Sequence, residues 1–161
     1  RNPETLLRQV EEWHRIIQRT KGTPESSWEH SKFNDYEYIE KSGKQRLIWR
    51  ITELCSKKEL SEEGRKMHHC VASYAYSCAK RRTSIWSLVG ETRDASEIQD
   101  NKLPSPDPSR TKRFATIEVD LENKIVVQAR GRYNEKISAV ARNVMSRWAT
   151  QEKLKVGRYF L

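Results

Sequence analysis

Apolar residues recur along this chain with two different periods, and each change of period marks a new element. Leu6, Val10, Trp13 and Ile17 follow at steps of four, three and four, which predicts a helix with one buried stripe. Asn2-Pro3-Glu4 supplies a cap, a first-turn proline and a first-turn acid, and Lys21-Gly22-Thr23-Pro24 ends the element, so the helix is expected over 3–20. Two strands are predicted over 36–40 and 45–51, joined by the turn-forming Lys41-Ser42-Gly43-Lys44. Ser56 with Glu59 forms a capping box, and Leu60, Gly64 and Met67 give the following helix its buried side. A second helical run is expected from His69 to about Arg82, with Val71, Tyr74, Ala75 and Cys78 on one face. A strand follows over 84–89, then a proline-bearing loop over 90–112. Strands over 113–120 and 124–130 form a hairpin around Leu121-Glu122-Asn123. Asn134 is expected to cap a final helix whose stripe is Ile137, Val140, Ala141, Val144 and Trp148. The order predicts a single α+β domain over 1–161. Its short antiparallel sheet has about five strands, two hairpins plus one strand, with flanking helices in one layer.

The last hairpin carries a finer expectation. Ala115, Ile117 and Val119 alternate with Thr116 and Glu118, while Ile125, Val127 and Ala129 alternate with Gln128 and Arg130. Strand side chains switch faces at each step, so aliphatics on the core side force Thr116, Glu118, Gln128 and Arg130 onto the other. Pairing Asp120 with Lys124 sets Gln128 opposite Thr116 and Arg130 opposite Phe114.

Charge narrows the class of partner. The 161 residues hold 31 Lys and Arg against 22 Asp and Glu, a net charge of +9. Such a surface is the electrostatic footprint of a phosphate-bearing partner, RNA or single-stranded DNA, which repays cation contacts through counterion release. Cys55, Cys70 and Cys78 show neither a disulfide framework nor a CxxC pair, which fits a reducing, cytoplasmic compartment and speaks against a zinc ribbon. No run is long and apolar enough to span a membrane, and no signal peptide is recognisable. The chain begins with Arg rather than Met, as a piece of a longer protein does.

Chemistry concentrates in two places. His68-His69-Cys70 offers imidazoles that exchange protons near neutral pH, with His69 the candidate acid or base and Cys70 read as a small core residue. No metal site is expected: on a continuous helix Cys70 and Cys78 stand about 12 Å apart along the axis. In Gln128-Ala129-Arg130-Gly131-Arg132-Tyr133-Asn134, the guanidinium forks match phosphate oxygens, Gln128 can read a phosphate or base edge, and Tyr133 can stack. Lys80-Arg81-Arg82, Arg110 with Lys112-Arg113, and Arg130 with Arg132 are basic clusters, and the last two are expected to abut. Lys80, Arg81, Arg82, Lys112, Arg113, Arg132, Tyr133 and Asn134 are the candidate nucleic-acid contacts.

The run Glu63-Gly64-Arg65-Lys66-Met67-His68-His69-Cys70-Val71-Ala72-Ser73-Tyr74 resembles the PcfJ-like proteins of conjugative plasmids and other mobile elements. The resemblance continues through Ser84-Ile85-Trp86-Ser87-Leu88 and Ala115-Thr116-Ile117-Glu118. It then reaches Gln128-Ala129-Arg130-Gly131 with Asn134 and a helix carrying Trp148, covering about 49–148. It implies association with plasmid-transfer or phage-related loci and singles out His69, Cys70, Tyr74, Gln128, Arg130, Gly131 and Asn134. The expected function is that of a nucleic-acid-acting protein, a candidate endoribonuclease needing no metal or other cofactor. His69 moves a proton, Arg130 stabilises the charged phosphorane-like transition state, and Gln128 and Tyr74 orient the phosphate. The alternatives are a non-catalytic nucleic-acid-binding module, or a protein-interaction subunit, within a larger complex.

Overall fold

The computed structural model describes Gln9 and residues 26–157. The helix expected over 3–20, with its stripe of Leu6, Val10, Trp13 and Ile17, lies outside the described residues, Gln9 excepted. The architecture is α+β. The strands β1 (Tyr36–Ser42), β2 (Gln45–Leu54), β3 (Thr83–Asp94), β4 (Thr111–Asp120), β5 (Ile125–Arg130) and β6 (Lys155–Val156) form one curled sheet in sequence order. The first five run antiparallel, but β6 pairs with β5 in parallel, so the sheet is mixed with six strands rather than antiparallel with about five. Among the described residues, no helix is long and apolar enough to cross a membrane.

Within residues 26–157 the helices are α1 (Lys57–Met67), α2 (Ala75–Ala79) and α3 (Ala139–Glu152). They do not form the single layer expected from sequence. Trp49, Ile51, Trp86, Leu88, Ala115, Ile117, Val119 and Val126 pack with Ala141, Val144, Met145 and Trp148 of α3. Leu54 and Ile85, on the opposite face of the same strands, pack with Leu60, Val71, Ala75 and Cys78. The sheet is therefore sandwiched, because alternate residues of its central strands are apolar on both sides. At the centre of the larger core Trp86 and Trp148 are fully buried, their ring centroids 4.7 Å apart. Their indole N–H groups are satisfied by Ser84 Oγ at 2.8 Å and the Asn34 carbonyl at 2.9 Å.

Local chemistry sets the ends of the elements. Ser56 Oγ accepts the Glu59 N–H at 3.1 Å, and Glu59 reaches back to the Cys55 N–H, a shifted form of the predicted capping box. The predicted helix from His69 to Arg82 is interrupted. His68 takes a left-handed backbone (φ 55°) and ends α1, and a 3-10 turn over Val71–Tyr74 precedes the short α2. Asn134 is not a helix cap: it is itself left-handed (φ 59°), and Ser138 caps α3 by accepting the Ala141 N–H. Val140, placed on the buried stripe by its spacing, is 51% exposed.

The expected loop over 90–112 is shorter, since β3 runs on to Asp94 and β4 starts at Thr111. Within it the proline-bearing segment is fastened down. Arg50 bridges Glu91 Oε2 at 2.8 Å and the Pro104 carbonyl at 2.5 Å, while Arg93 donates to the Ser105 carbonyl at 2.9 Å. Gly90 explains part of this continuity. A Cβ there would lie 2.8 Å from Trp49 Cζ3 and 2.9 Å from Phe114 Cε2. We expect Gly90→Ala to cost about 1–3 kcal/mol through overpacking, read from the urea-unfolding midpoint.

The β4–β5 register also differs. Asp120 pairs with Ile125, a bulge falls between Glu118 and Val119, and beyond it Gln128 faces Glu118 and Arg130 faces Thr116. The bulge inserts Val127 as an unpaired residue, so Val126 rather than Val127 joins the core beside Ala129. Parity at the far end is preserved, and the polar residues stay on the face away from α3.

Candidate active site

The site is built where α1 ends. Leu60, Glu63, Gly64 and Met67 form the buried side of this helix. The left-handed turn at His68 lets the His69 N–H bond back to the Gly64 carbonyl at 3.0 Å, closing the end as a Schellman turn does. A Cβ on Gly64 would stand 2.8 Å from the His69 carbonyl oxygen. Glycine is needed here so that the His69 backbone can lie against the helix. Gly64→Ala is expected to displace His69, seen as a shifted imidazole resonance in NMR together with a lower Tm.

From that position the His69 ring reaches the sheet. Its Nε2 lies 2.8 Å from Thr116 Oγ1, and Thr116 Oγ1 donates to Glu63 Oε2 at 2.6 Å. The Thr116 hydroxyl has one proton, which goes to the carboxylate, so its oxygen accepts from His69 Nε2–H. That assigns the tautomer and leaves the Nδ1 lone pair free. Nδ1 is buried with no hydrogen-bond partner among the described residues. Burial holds the His69 pKa below the ordinary imidazole value, so the ring is neutral at pH 7 and equipped to accept a proton.

Glu63 anchors this relay. It is fully buried, takes a second hydrogen bond from Ser87 Oγ at 2.9 Å, and has Arg113 Nε 2.8 Å from Oε1. The Arg113 N–H is not aligned for a hydrogen bond, so the contact is an ion pair. Burial pushes the Glu63 carboxyl up, against the pull of Thr116, Ser87 and Arg113. Thr116, Ser87 and Arg113 each present it with a proton or a positive charge, which favours the ionised form against the burial.

A cavity of about 440 Å³ opens beside the relay, within the ordinary range for small-ligand sites. His69, Cys70, Tyr74 and Thr116 line it together with Glu118, Gln128, Arg130 and Asn134, and Gln9 also contributes. The four candidate catalytic residues, His69, Tyr74, Gln128 and Arg130, thus share one pocket, and Asn134 joins them. Arg130 is exposed and has no ion pair among the described residues, so its guanidinium is available to an anion. Burial, then the charge of nearby Glu118, pushes the Tyr74 phenol up to about 12. Burial also raises the Glu118 carboxyl. Burial likewise raises the Cys70 thiol, which makes it a poor nucleophile at neutral pH. Among the described residues, no group of three or more His, Cys, Asp or Glu stands close enough to hold a metal ion.

The candidate nucleic-acid contacts divide. Arg113 is taken up by Glu63 and is not free for phosphate. Arg110, one of the abutting basic clusters, pairs with Glu97 and Asp107. Arg81 donates to the backbone carbonyls of Glu29 and His30, and Lys80 lies over the Tyr76 ring; neither lines the cavity, nor does Arg82. Lys112 sits over Phe114, and Arg132 points toward the Lys66 carbonyl at the end of α1. Both line a neighbouring groove. Tyr133 stacks on His68. Sequence reasoning missed Glu63 altogether. The available signal was an acid standing between Leu60 and Met67 on an apolar helix face, where an unpaired charge is costly.

A model of the PcfJ-like protein family matches residues 2–103. The match takes in α1, His68-His69-Cys70, Tyr74 and the β1–β3 sheet; Thr116, Gln128, Arg130 and Asn134 follow it in the chain. Searches of curated proteins and of solved structures found no match. With the matched span covering most of the chain, the protein belongs to the PcfJ-like family.

Proposed function

We propose that this protein acts on nucleic acid as a metal-independent endoribonuclease. The observation that carries the reading is the asymmetry of His69: Nε2 is committed through Thr116 to buried Glu63, while Nδ1 has no hydrogen-bond partner among the described residues. One nitrogen is fixed by a carboxylate and the other is left as a base, in a pocket shared with the unpaired Arg130. This is the arrangement that general-base catalysis requires.

In the proposed reaction His69 Nδ1 takes the proton of a ribose 2′-hydroxyl. The 2′-oxygen bonds to the adjacent phosphorus as the bond from phosphorus to the 5′-oxygen breaks. The imidazolium is stabilised through Thr116 by the Glu63 charge, and Arg130 faces the charge that accumulates on the phosphoryl oxygens. Gln128 and Tyr74 orient the phosphate. The leaving 5′-oxygen takes a proton from solvent and His69 returns its own, giving a 2′,3′-cyclic phosphate and a 5′-hydroxyl.

A second reading, a nucleic-acid-binding module within a larger protein complex, draws support from the exposed pairing of His68 with Tyr133, a contact surface that needs no chemistry. End-labelled RNA and single-stranded DNA separate the two, incubated with magnesium or with chelator beside Arg130→Ala. RNA cleavage that survives chelation and falls in Arg130→Ala supports the endoribonuclease. Salt-sensitive binding with intact RNA in every lane overturns it in favour of the binding module.

A further inference from the structure

Beside the catalytic pocket lies a groove lined by Lys66, Lys112, Arg132 and Lys136 against Glu62 and Glu135. Two chain segments join the groove to the pocket. Along the first, Lys66 and Met67 line the groove, His68 follows, and His69 and Cys70 line the pocket. The second weaves between the two: Arg130 lines the pocket, Gly131 and Arg132 the groove, Tyr133 follows, Asn134 lines the pocket again, and Glu135 and Lys136 return to the groove. At the matching step of each segment stands an aromatic ring. The two rings are stacked, with centroids 4.5 Å apart and planes within 6° of parallel.

This ridge is not built as a hydrophobic contact would be. Tyr133 is 63% exposed and His68 is exposed as well. Both backbones are left-handed, φ 57° at Tyr133 and 55° at His68, a conformation bulky residues rarely adopt. The left-handed turn at His68 also serves to end α1, but a left-handed Tyr133 that buries little apolar surface is the pattern of a functional feature. A flat exposed ring pair between this pocket and a basic groove offers what single strands require: a stacking surface and a path for the backbone.

We propose that the His68–Tyr133 pair is the stacking platform for the base next to the phosphate in the pocket, and that the groove carries the phosphates beyond it. The ligand is single-stranded RNA. This rests on the reading of the protein as one that acts on RNA, but not on its cutting RNA. Duplex RNA, whose bases are already stacked, gains nothing from the platform.

The test is fluorescence anisotropy with a fully 2′-O-methylated single strand of about twelve nucleotides, which binds but cannot be cut by 2′-attack. His68→Asn with Tyr133→Gly removes both rings with residues that tolerate left-handed backbone. We expect the double variant to bind about 10–100-fold more weakly, and Tyr133→Phe to bind as the wild type does. Lys112→Ala with Lys136→Ala is expected to reduce the salt dependence of binding. Affinity of the folded double variant within about twofold of wild type overturns the platform. Cleavage of unmodified RNA is scored in parallel. Ring-dependent binding without any cleavage leaves the platform standing and overturns the nuclease. Cleavage with ring-independent binding does the reverse, and failure of the wild type to bind RNA overturns both.

Discussion

His69→Gln is expected to lower the rate of the proposed RNA cleavage by about 10²–10⁴-fold, the usual contribution of a positioned general base, with RNA affinity little changed. The acid limb of the pH–rate profile supplies a second readout. Nδ1 must be unprotonated to act, and burial places the His69 pKa below 6.5. The proposed cleavage is therefore expected to be full at neutral pH and to fall as pH drops through that lower value. The same shift has a stability consequence. The unfolded chain takes up the His69 proton more readily, so the contribution of this group to stability is present above 6.5 and declines as pH falls below it. His69→Gln removes that component, and urea unfolding as a function of pH is the check. A profile with no limb attributable to His69 removes the general-base assignment.

Glu63→Ala has the largest expected effect on the fold itself. The substitution leaves the Ser87 and Thr116 hydroxyls without their acceptor and deprives Arg113, 25% exposed, of its buried counter-charge. Breaking a buried pair by removing one partner costs about 3–5 kcal/mol, which for a domain of this length lowers Tm by about 6–20 °C. Removing both charged groups is far less costly, so Arg113→Met in the Glu63→Ala background is expected to recover much of the loss. A double-mutant cycle by urea unfolding measures that coupling. Glu63→Gln separates stability from chemistry. The amide keeps the volume and one acceptor but brings an N–H₂ group toward hydroxyls that already point at it, and it loosens the tautomer of His69. Cleavage by the folded Glu63→Gln protein is expected to fall at least about tenfold; an unchanged rate makes Glu63 purely structural.

The alternation of Ala115, Ile117 and Val119 with Thr116 and Glu118 was enough to separate a core face from a polar face. It also assigned Thr116, Glu118, Gln128 and Arg130 to the polar one, and all four line the pocket. Strand periodicity is a local property, so it is written in the residues themselves. The same holds for the Ser56 cap and the buried positions Leu60, Gly64 and Met67, which depend only on neighbours within a turn or two. The PcfJ-like motif was legible for the same reason, as a contiguous run.

What the sequence could not state is where a local rule yields to packing. Spacing alone continued a helix from His69, but the left-handed turn at His68 ends α1 and frees His69 to reach Thr116 across 47 positions of sequence. The bulge that moves Val126 into the core depends on how β4 and β5 meet the other strands and α3. Arg113 reads as one more phosphate-binding cation until Glu63 is found opposite it, 50 positions away along the chain. Likewise Asn134 reads as a helix cap until the chain folds it into the pocket wall. The sequence by itself determined five of the six described strands, the polar face of the last hairpin, the basic charge and the family. Only the tertiary structure decided which charges are spent on each other and which nitrogen of His69 is free, because both depend on contacts between residues distant along the chain.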